Sequence, residues 1–348
     1  MSDAYYPLAQ ADATKVLSLT ELSQHSPLNR GPDALLCRLE ANQLMVCQGH
    51  MAMGSALKLV IFGQQLSGDS LYTVLLALCA FGDSPLSLQS YQPVEQLAPA
   101  AVISGFNDVA AVKSLITELA PQLEIEMALV DNPPNLAQPG VLLMDMDSTA
   151  IEIECIDEIA VLAGVGEEVA AVTRQAMQGE LDFAQSLRQR VGALQGADES
   201  ILASVAATLP LMPGLEALVA HLQHKGWQVA IASGGFTYFT EHLKSQLGLT
   251  ATFANQLEIV DGKLTGQVLG DIVDADTKAQ VIESLAQQYD IDAQQTVAIG
   301  DGANDLKMLN KAALGVAFHA KPIVRQQAQA AINQGSLMQL LYLLLPAQ

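Results

Sequence analysis

Two carboxylates set one residue apart define the first chemical feature of this chain. They are Asp145 and Asp147 in Asp145-Met146-Asp147-Ser148-Thr149, directly after the apolar run Val141 to Met144. At the end of a strand, positions i and i+2 face the same side, where like charges raise a pKa. Such a pair can divide the labour: one carboxylate stays ionised as nucleophile or metal ligand while the other shuttles a proton. A second cluster, Gly300-Asp301-Gly302-Ala303-Asn304-Asp305, follows the apolar run Thr296 to Ile299. Its donors are all oxygen, the set that suits Mg²⁺, which takes one or two carboxylates and keeps several waters. Ser233-Gly234-Gly235 closes a third run, Val229 to Ala232, and offers a hydroxyl and exposed backbone N–H groups to an anion. Lys278, entering a predicted helix, reads by default as a surface lysine, although phosphate charge requires a cation somewhere.

These residues need a scaffold that brings them together. After Gly140, strand-like runs (Val141 to Met144, Val229 to Ala232, Thr296 to Ile299, Leu314 to Ala317) alternate with helical patterns. That alternation predicts an α/β domain with a mostly parallel sheet flanked by helices. In open α/β sheets, ligands bind outside the carboxyl ends of the strands. The first three runs end in the acidic, Ser-Gly-Gly and Gly-Asp turns, so those turns converge on one site. Residues 152–225 hold helical stretches and no comparable strand, which predicts a helical cap inserted between the first two strands. Asn255 to Gln267 alternate around Asp261-Gly262, a hairpin signal. Residues 1–135 carry apolar stretches at Leu57 to Phe62 and Leu71 to Phe81 and a helical pattern from Asp108 to Leu119, consistent with a smaller α/β or α+β domain. Three prolines between Asp131 and Gly140 break any helix or central strand. We therefore expect domains at 1–135 and 141–348, joined by a linker at 136–140.

The 348 residues include 16 Lys+Arg against 37 Asp+Glu, a formal net charge of −21. That excess argues against a phosphate-tracking nucleic-acid protein, whose affinity comes from Lys and Arg. No apolar run reaches the ~18 residues of a membrane span, and the acidic N-terminus lacks a signal-peptide pattern. The four cysteines show no metal-ligand spacing and read as reduced thiols. The expectation is a cytoplasmic protein acting on a small molecule, with no nucleic-acid or membrane partner.

The order DxDx[ST], Ser, Lys and a GDxxxD-type acidic turn resembles the haloacid dehalogenase superfamily of phosphatases and phosphotransferases. The segments DMDSTAIEIECIDEIA, MQGELDFAQSLRQRV, LPLMPG, IASGGF and VAIGDGANDLKM are similar to its bacterial phosphoserine phosphatase family, over roughly residues 140–330. The resemblance implies a Rossmann-like core with a helical cap and an ACT-like N-terminal domain. It also implies Mg²⁺-dependent hydrolysis of O-phospho-L-serine through an aspartyl-phosphate, the last step of serine biosynthesis. Asp145 would be the nucleophile and Asp147 the proton donor. Asp145, the Asp147 backbone carbonyl and Asp301 would hold the metal, with Asp305 in support. Ser233, Gly234 and Lys278 would bind phosphoryl oxygens, with Asn304 beside them. In the cap, Glu154 would pair with the substrate ammonium and Arg190 with its carboxylate, while Met177 and Phe183 line the site. Arg188 competes with Arg190, since residues at i and i+2 of a helix face apart and only one can point inward. ACT-like domains pair across subunits, which implies a homodimer. The residues alone also leave open another small phosphomonoester as substrate, or an amino-acid-sensing regulatory protein with a vestigial site.

Overall fold

The computed structural model describes residues 6–7, 35–40, 43–48, 57–81 and 84–345. The chain divides into two compact units, Met1–Pro133 with Gln339–Gln348, and Pro134–Met338.

The first unit contains a seven-stranded sheet in the order β1-β3-β2-β5-β6-β4-β7, antiparallel at every pairing. Its strands are β1 (Tyr6–Pro7), β2 (Leu35–Glu40), β3 (Gln43–Gln48), β4 (Leu57–Phe62), β5 (Leu86–Tyr91), β6 (Ala100–Ser104) and β7 (Glu126–Asp131). Helix α1 (Gly68–Cys79) follows β4 and α2 (Val109–Leu123) follows β6, so residues 57–131 run β-α-β-β-α-β, a ferredoxin-like order. The expected apolar stretch Leu71 to Phe81 is therefore mostly helix. A reciprocal Ser67–Ser70 capping box starts it. Alternation along β4 sends Leu59 and Ile61 into the core beneath the helices, with Leu71, Leu75, Val112 and Leu115.

The C-terminal segment corrects the expected 141–348 boundary. A 3-10 turn over Leu337–Leu343 carries residues from Gln339 onward into the first unit. There Tyr342 packs on Phe62 with ring centroids 4.9 Å apart and donates its hydroxyl to the Ala98 carbonyl. Tyr91 donates to the Leu344 carbonyl at 2.8 Å. Leu340, Leu341, Leu343 and Leu344 are fully buried. The run Leu337 to Leu345 is apolar all round because it is enclosed, which periodicity alone does not assign to either unit.

In the second unit, seven strands run in the order β11-β10-β9-β8-β12-β13-β14, parallel except for the β10–β11 hairpin. They are β8 (Val141–Met144), β9 (Gln228–Phe236), β10 (Ala251–Val260), β11 (Lys263–Leu269), β12 (Thr296–Gly300), β13 (Leu314–Phe318) and β14 (Ala330–Ile332). The four residues of β8 are buried on both faces, as expected of a central parallel strand. Asp261 and Gly262 both take positive φ, 50° and 74°, as a two-residue hairpin turn requires. Between β8 and β9 lie α3 (Cys155–Leu162), α4 (Gly166–Met177), α5 (Phe183–Ala193), α6 (Ser200–Ala206) and α7 (Leu215–His224); α8 (Thr237–Leu247), α9 (Ala275–Gln288), α10 (Leu306–Lys311) and α11 (Pro322–Gln327) follow later in the chain. The two connectors of this insertion pair with each other: Ile151 bridges Leu211, and the Met212 N–H reaches the Ala150 carbonyl at 2.9 Å. The hairpin supports the cap, since Gly196 and Leu264 exchange backbone bonds with the facing segment at 2.8 and 2.9 Å.

The expected linker is built into this unit. Asn135 donates its N–H to Gln295 Oε1 at 2.7 Å, and the Trp227 indole N–H reaches the Leu136 carbonyl at 3.4 Å. The prolines stop regular structure here without freeing the chain, because its polar groups are bonded to the core. No described helix is long and apolar enough to cross a membrane.

Candidate active site

The site lies at the carboxyl ends of β9, β8 and β12, beneath the cap, in a cavity of about 530 Å³. Asp145 is the first residue past β8 and is fixed from both sides. Its N–H donates to the Ile299 carbonyl of β12 at 3.0 Å, and its Oδ1 accepts the Met146 N–H at 2.7 Å. The chain then turns tightly, with the N–H groups of Thr149, Ala150 and Ile151 all directed at the Met146 carbonyl. Ser148 takes a positive φ of 57° in this turn. Asp147 thereby faces the cavity, and its Oδ1 accepts the Cys155 N–H at 3.1 Å at the start of α3.

Lys278, on α9 (Ala275–Gln288), is 1% exposed and lies under the cavity floor, not on a surface face of its helix. Its Nζ bonds Asp145 Oδ1 at 2.9 Å and Asp305 Oδ1 at 2.8 Å. Burial opposes the ammonium charge, but the two carboxylates outweigh it and hold the group above its ordinary range. Asp305 is fully buried, and its Oδ2 accepts the Gly302 N–H at 3.0 Å. Burial and the Asp145 charge push Asp305 up to about 7, against the pull of Lys278. Asp305 thus anchors the Gly300–Asp305 turn as well as lending an oxygen to the cluster.

Carboxylate oxygens of Asp145, Asp301 and Asp305 lie within 4.8 Å of one another. Burial, then Asp145 and Glu154, push Asp301 up to about 6. Three oxygen donors crowded together, with burial and neighbouring charge raising Asp301 and Asp305, form a set that a divalent cation fits, because its charge offsets their repulsion. Burial, then Glu154 and Asp145, push Asp147 up to about 8, so it carries a proton at neutral pH.

The anion cradle comes from β9. Ser233 is 1% exposed and its Oγ accepts the Gly235 N–H at 2.9 Å, which leaves the hydroxyl hydrogen free to donate toward the cavity. Gly234 allows a close approach: a Cβ there would lie 2.6 Å from the Phe183 ring, which would have to shift. Asn255 Nδ2 holds the Gly234 carbonyl at 2.8 Å and so fixes the direction of this loop.

The cap supplies the remaining wall. A reciprocal Asp182–Gln185 capping box, at 2.7 and 3.0 Å, starts α5 and sets its rotation. Phe183, Ser186, Leu187 and Arg190 then share one helix face and line the cavity. Arg188 is exposed and points elsewhere. The Arg190 Nε is buried without a hydrogen-bond partner, a donor left over for a ligand. Burial lowers the Arg190 pKa, while Glu154, Asp157 and Asp147 work in the other direction. Glu154 Oε1 accepts the Ser148 hydroxyl at 2.9 Å. Met177 is 69% exposed yet lines the cavity, which places it at the rim.

The fold therefore brings Asp145, Asp147, Asp301, Asn304, Ser233, Gly234, Glu154, Arg190, Met177 and Phe183 around one cavity, with Lys278 and Asp305 directly beneath. Ser148 and Lys321 are among the residues at the site that the sequence does not single out. In the sequence Ser148 is a generic hydroxyl, and its role as a donor to Glu154 follows from the turn at Met146. Lys321 also lines the cavity, on the loop after β13. Its strand end, unlike the other three, carries no obvious chemistry in the sequence.

A family model for haloacid dehalogenase-like hydrolases matches residues 140–313. The phosphoserine phosphatase of Vibrio cholerae is 62% identical over 211 residues, 61% of this chain and 64% of that protein. The phosphoserine phosphatase of Haemophilus influenzae is 59% identical over 222 residues, 64% of this chain and 71% of that protein. Thus the match spans a little under two thirds of the Vibrio protein's length. The crystal structure of a probable phosphoserine phosphatase from Vibrio cholerae, in unliganded form, is similar with a TM-score of 0.70 at 48% identity. It covers 82% of this chain and 86% of that one.

Proposed function

The chain belongs to the haloacid dehalogenase-like hydrolases, and from that premise we propose that it hydrolyses O-phospho-L-serine to L-serine and phosphate with Mg²⁺ as its cation. The observation that carries this reading is the pairing, in one cavity, of an acidic catalytic floor with Glu154 and the unpartnered Arg190 Nε in the cap. A phosphorylated amino acid presents three charged ends: phosphate, ammonium and carboxylate. The floor suits the first, Glu154 the second, and the guanidinium fork of Arg190 the third.

In this reading Asp145 attacks phosphorus. Its Oδ1 is held by Lys278 and the Met146 N–H, so Oδ2 is the oxygen left to react. Asp147, protonated at neutral pH, donates to the departing serine oxygen and then takes a proton from the water that cleaves the aspartyl-phosphate. The Ser233 hydroxyl, the Gly234 N–H and Asn304 orient the phosphoryl oxygens, and Lys278 balances charge from below. A cation held by Asp145, Asp301 and Asp305 would neutralise phosphoryl charge as it develops. The first unit then serves assembly or regulation, since among the described residues those lining the cavity all belong to the second unit.

The test is phosphate release from O-phospho-L-serine and from a panel of small and aryl phosphomonoesters, with Mg²⁺ and with EDTA. We expect kcat/KM for phosphoserine to exceed that for aryl phosphates at least tenfold and to vanish with EDTA. Equal rates across the panel would reject the substrate assignment and favour a general phosphomonoesterase.

A further inference from the structure

Lys321 lines the cavity, and no step described so far uses it. It follows β13, the strand next to β12, so it stands on the Asp301–Asn304 side, across β8 from Ser233 and Gly234. Its backbone is extended at φ −63° and ψ 152°, with Pro322 opening α11 (Pro322–Gln327) immediately after. The Lys321 carbonyl accepts the N–H groups of Val324 and Arg325 at 3.0 and 3.1 Å. The base of the side chain is thus fixed while its stem is exposed.

The other two cations at the site have other tasks. Lys278 is bonded to Asp145 and Asp305, and Arg190, near Glu154, Asp157 and Asp147, keeps its Nε for the substrate carboxylate. Lys321 forms no ion pair among the described residues, whereas Lys244, Lys307 and Lys311 each have a carboxylate partner. The cavity is lined by Asp145, Asp147, Glu154 and Asp301, in a chain of net charge −21. An incoming phosphomonoester dianion meets repulsion both far away and at the mouth. Lys321, a cation on the cavity wall with no ion-pair partner among the described residues, opposes that repulsion.

Resting on the function proposed above, we propose that Lys321 is a capture residue that draws the phosphate end of the substrate to the Asp301–Asn304 side of the cavity. It acts on association and orientation, and the phosphoryl-transfer step does not depend on it. Charge at this position is what matters, so arginine replaces it and a neutral isostere does not.

Kinetics on O-phospho-L-serine for the full chain, Lys321→Gln and Lys321→Arg, at about 20 and about 500 mM NaCl, test this. At low salt Lys321→Gln should raise KM about fivefold with kcat changed less than about twofold. At high salt the gap in kcat/KM should close to within about twofold, because exposed charges are screened. Lys321→Arg should stay near the original at both. A Gln variant within about 1.5-fold at low salt would overturn the proposal. So would a defect of equal size at both salts, or failure of Arg to restore, since both indicate a short-range or structural role. A parent chain without phosphoserine turnover would instead overturn the functional reading. Lys321 would then be judged by calorimetric binding of inorganic phosphate at low salt: about fivefold weaker in Lys321→Gln if the capture role holds, and equal if it does not.

Discussion

Replacing Lys278 with Met removes the charge that two buried carboxylates share. The ammonium lies 2.9 Å from Asp145 and 2.8 Å from Asp305, with side-chain exposures of 1%, 7% and 0%. At an effective dielectric of about 20, each contact is worth roughly 6 kcal/mol of attraction, most of it offset by taking the three groups out of water. Breaking such a group by removing one partner leaves uncompensated charge and costs about 3–5 kcal/mol. The loss depends on pH with a definite sign. Asp305 already titrates at about 7 with Lys278 present, and removing the cation raises it further. As pH falls from the variant's raised value toward about 7, the variant's Asp305 holds a proton that the parent's has given up, and the penalty shrinks by about 1.4 kcal/mol per unit. Trp227, the one tryptophan and 2% exposed, reports unfolding of the second unit by fluorescence. Urea unfolding in EDTA at pH 8 and pH 5.5 should therefore show a large loss at the first and a smaller one at the second. Adding Asp305→Asn to Lys278→Met should recover part of the loss at pH 8. A loss under about 1 kcal/mol, or one equal at both pH values, would refute the buried-charge reasoning.

Three further outcomes follow from the geometry. Arg190→Ala should cut kcat/KM for phosphoserine by about 10²-fold while sparing an aryl phosphate, and Arg188→Ala should change neither more than about twofold; the reverse pattern in a kinetic comparison would mean that α5 is rotated. Gly234→Ala places a methyl 2.6 Å from the Phe183 ring, so KM should rise about tenfold with the Trp227 unfolding midpoint little changed, whereas unaltered kinetics would show that the cap yields freely. In EDTA, Asp147, Asp301 and Asp305 have folded pKa values of about 8, 6 and 7 against an ordinary 3.8. The folded state then holds protons that the unfolded state releases, so these groups cost stability as pH rises from about 4 to 8. Mg²⁺ should accordingly raise the melting temperature more at pH 8 than at pH 5.5, and an equal rise by calorimetry would count against a carboxylate site.

The core of the second unit was legible because β8, β12 and the Val229 to Ala232 part of β9 are buried on both faces and read as unbroken apolar runs ending in polar turns. Val141–Met144 followed by Asp145 is the clearest case. The cap helices were legible from their periodicity, and the Asp261-Gly262 turn from its chemistry. Depth was not legible. Lys278 has the composition of a surface helix position, and only the packing of α9 under β8 and β12 shows that its charge is enclosed. The orientation of α5 was equally undetermined: Arg188 and Arg190 are both plausible until the Asp182–Gln185 capping box fixes which face turns inward. The C-terminal leucines gave no sign of the unit they join, since burial on all sides erases periodicity. In the first unit, β2 pairs with β3, the next strand in the chain, and with β5 farther along, and its short mixed sequence Leu35–Glu40 gave no long apolar run to mark it.

The most direct measurement is a rapid acid quench of the full chain with phosphorus-labelled O-phospho-L-serine, followed by peptide mapping. Asp145 is the carboxylate with a free oxygen at the end of the central strand, so label should appear transiently on the peptide containing Asp145. Label should be absent in Asp145→Asn, whose turnover should fall by at least about 10³-fold. Turnover by Asp145→Asn within about tenfold of the original, or a burst of serine with no label on protein, would contradict the assignment of this cavity as a covalent phosphatase site.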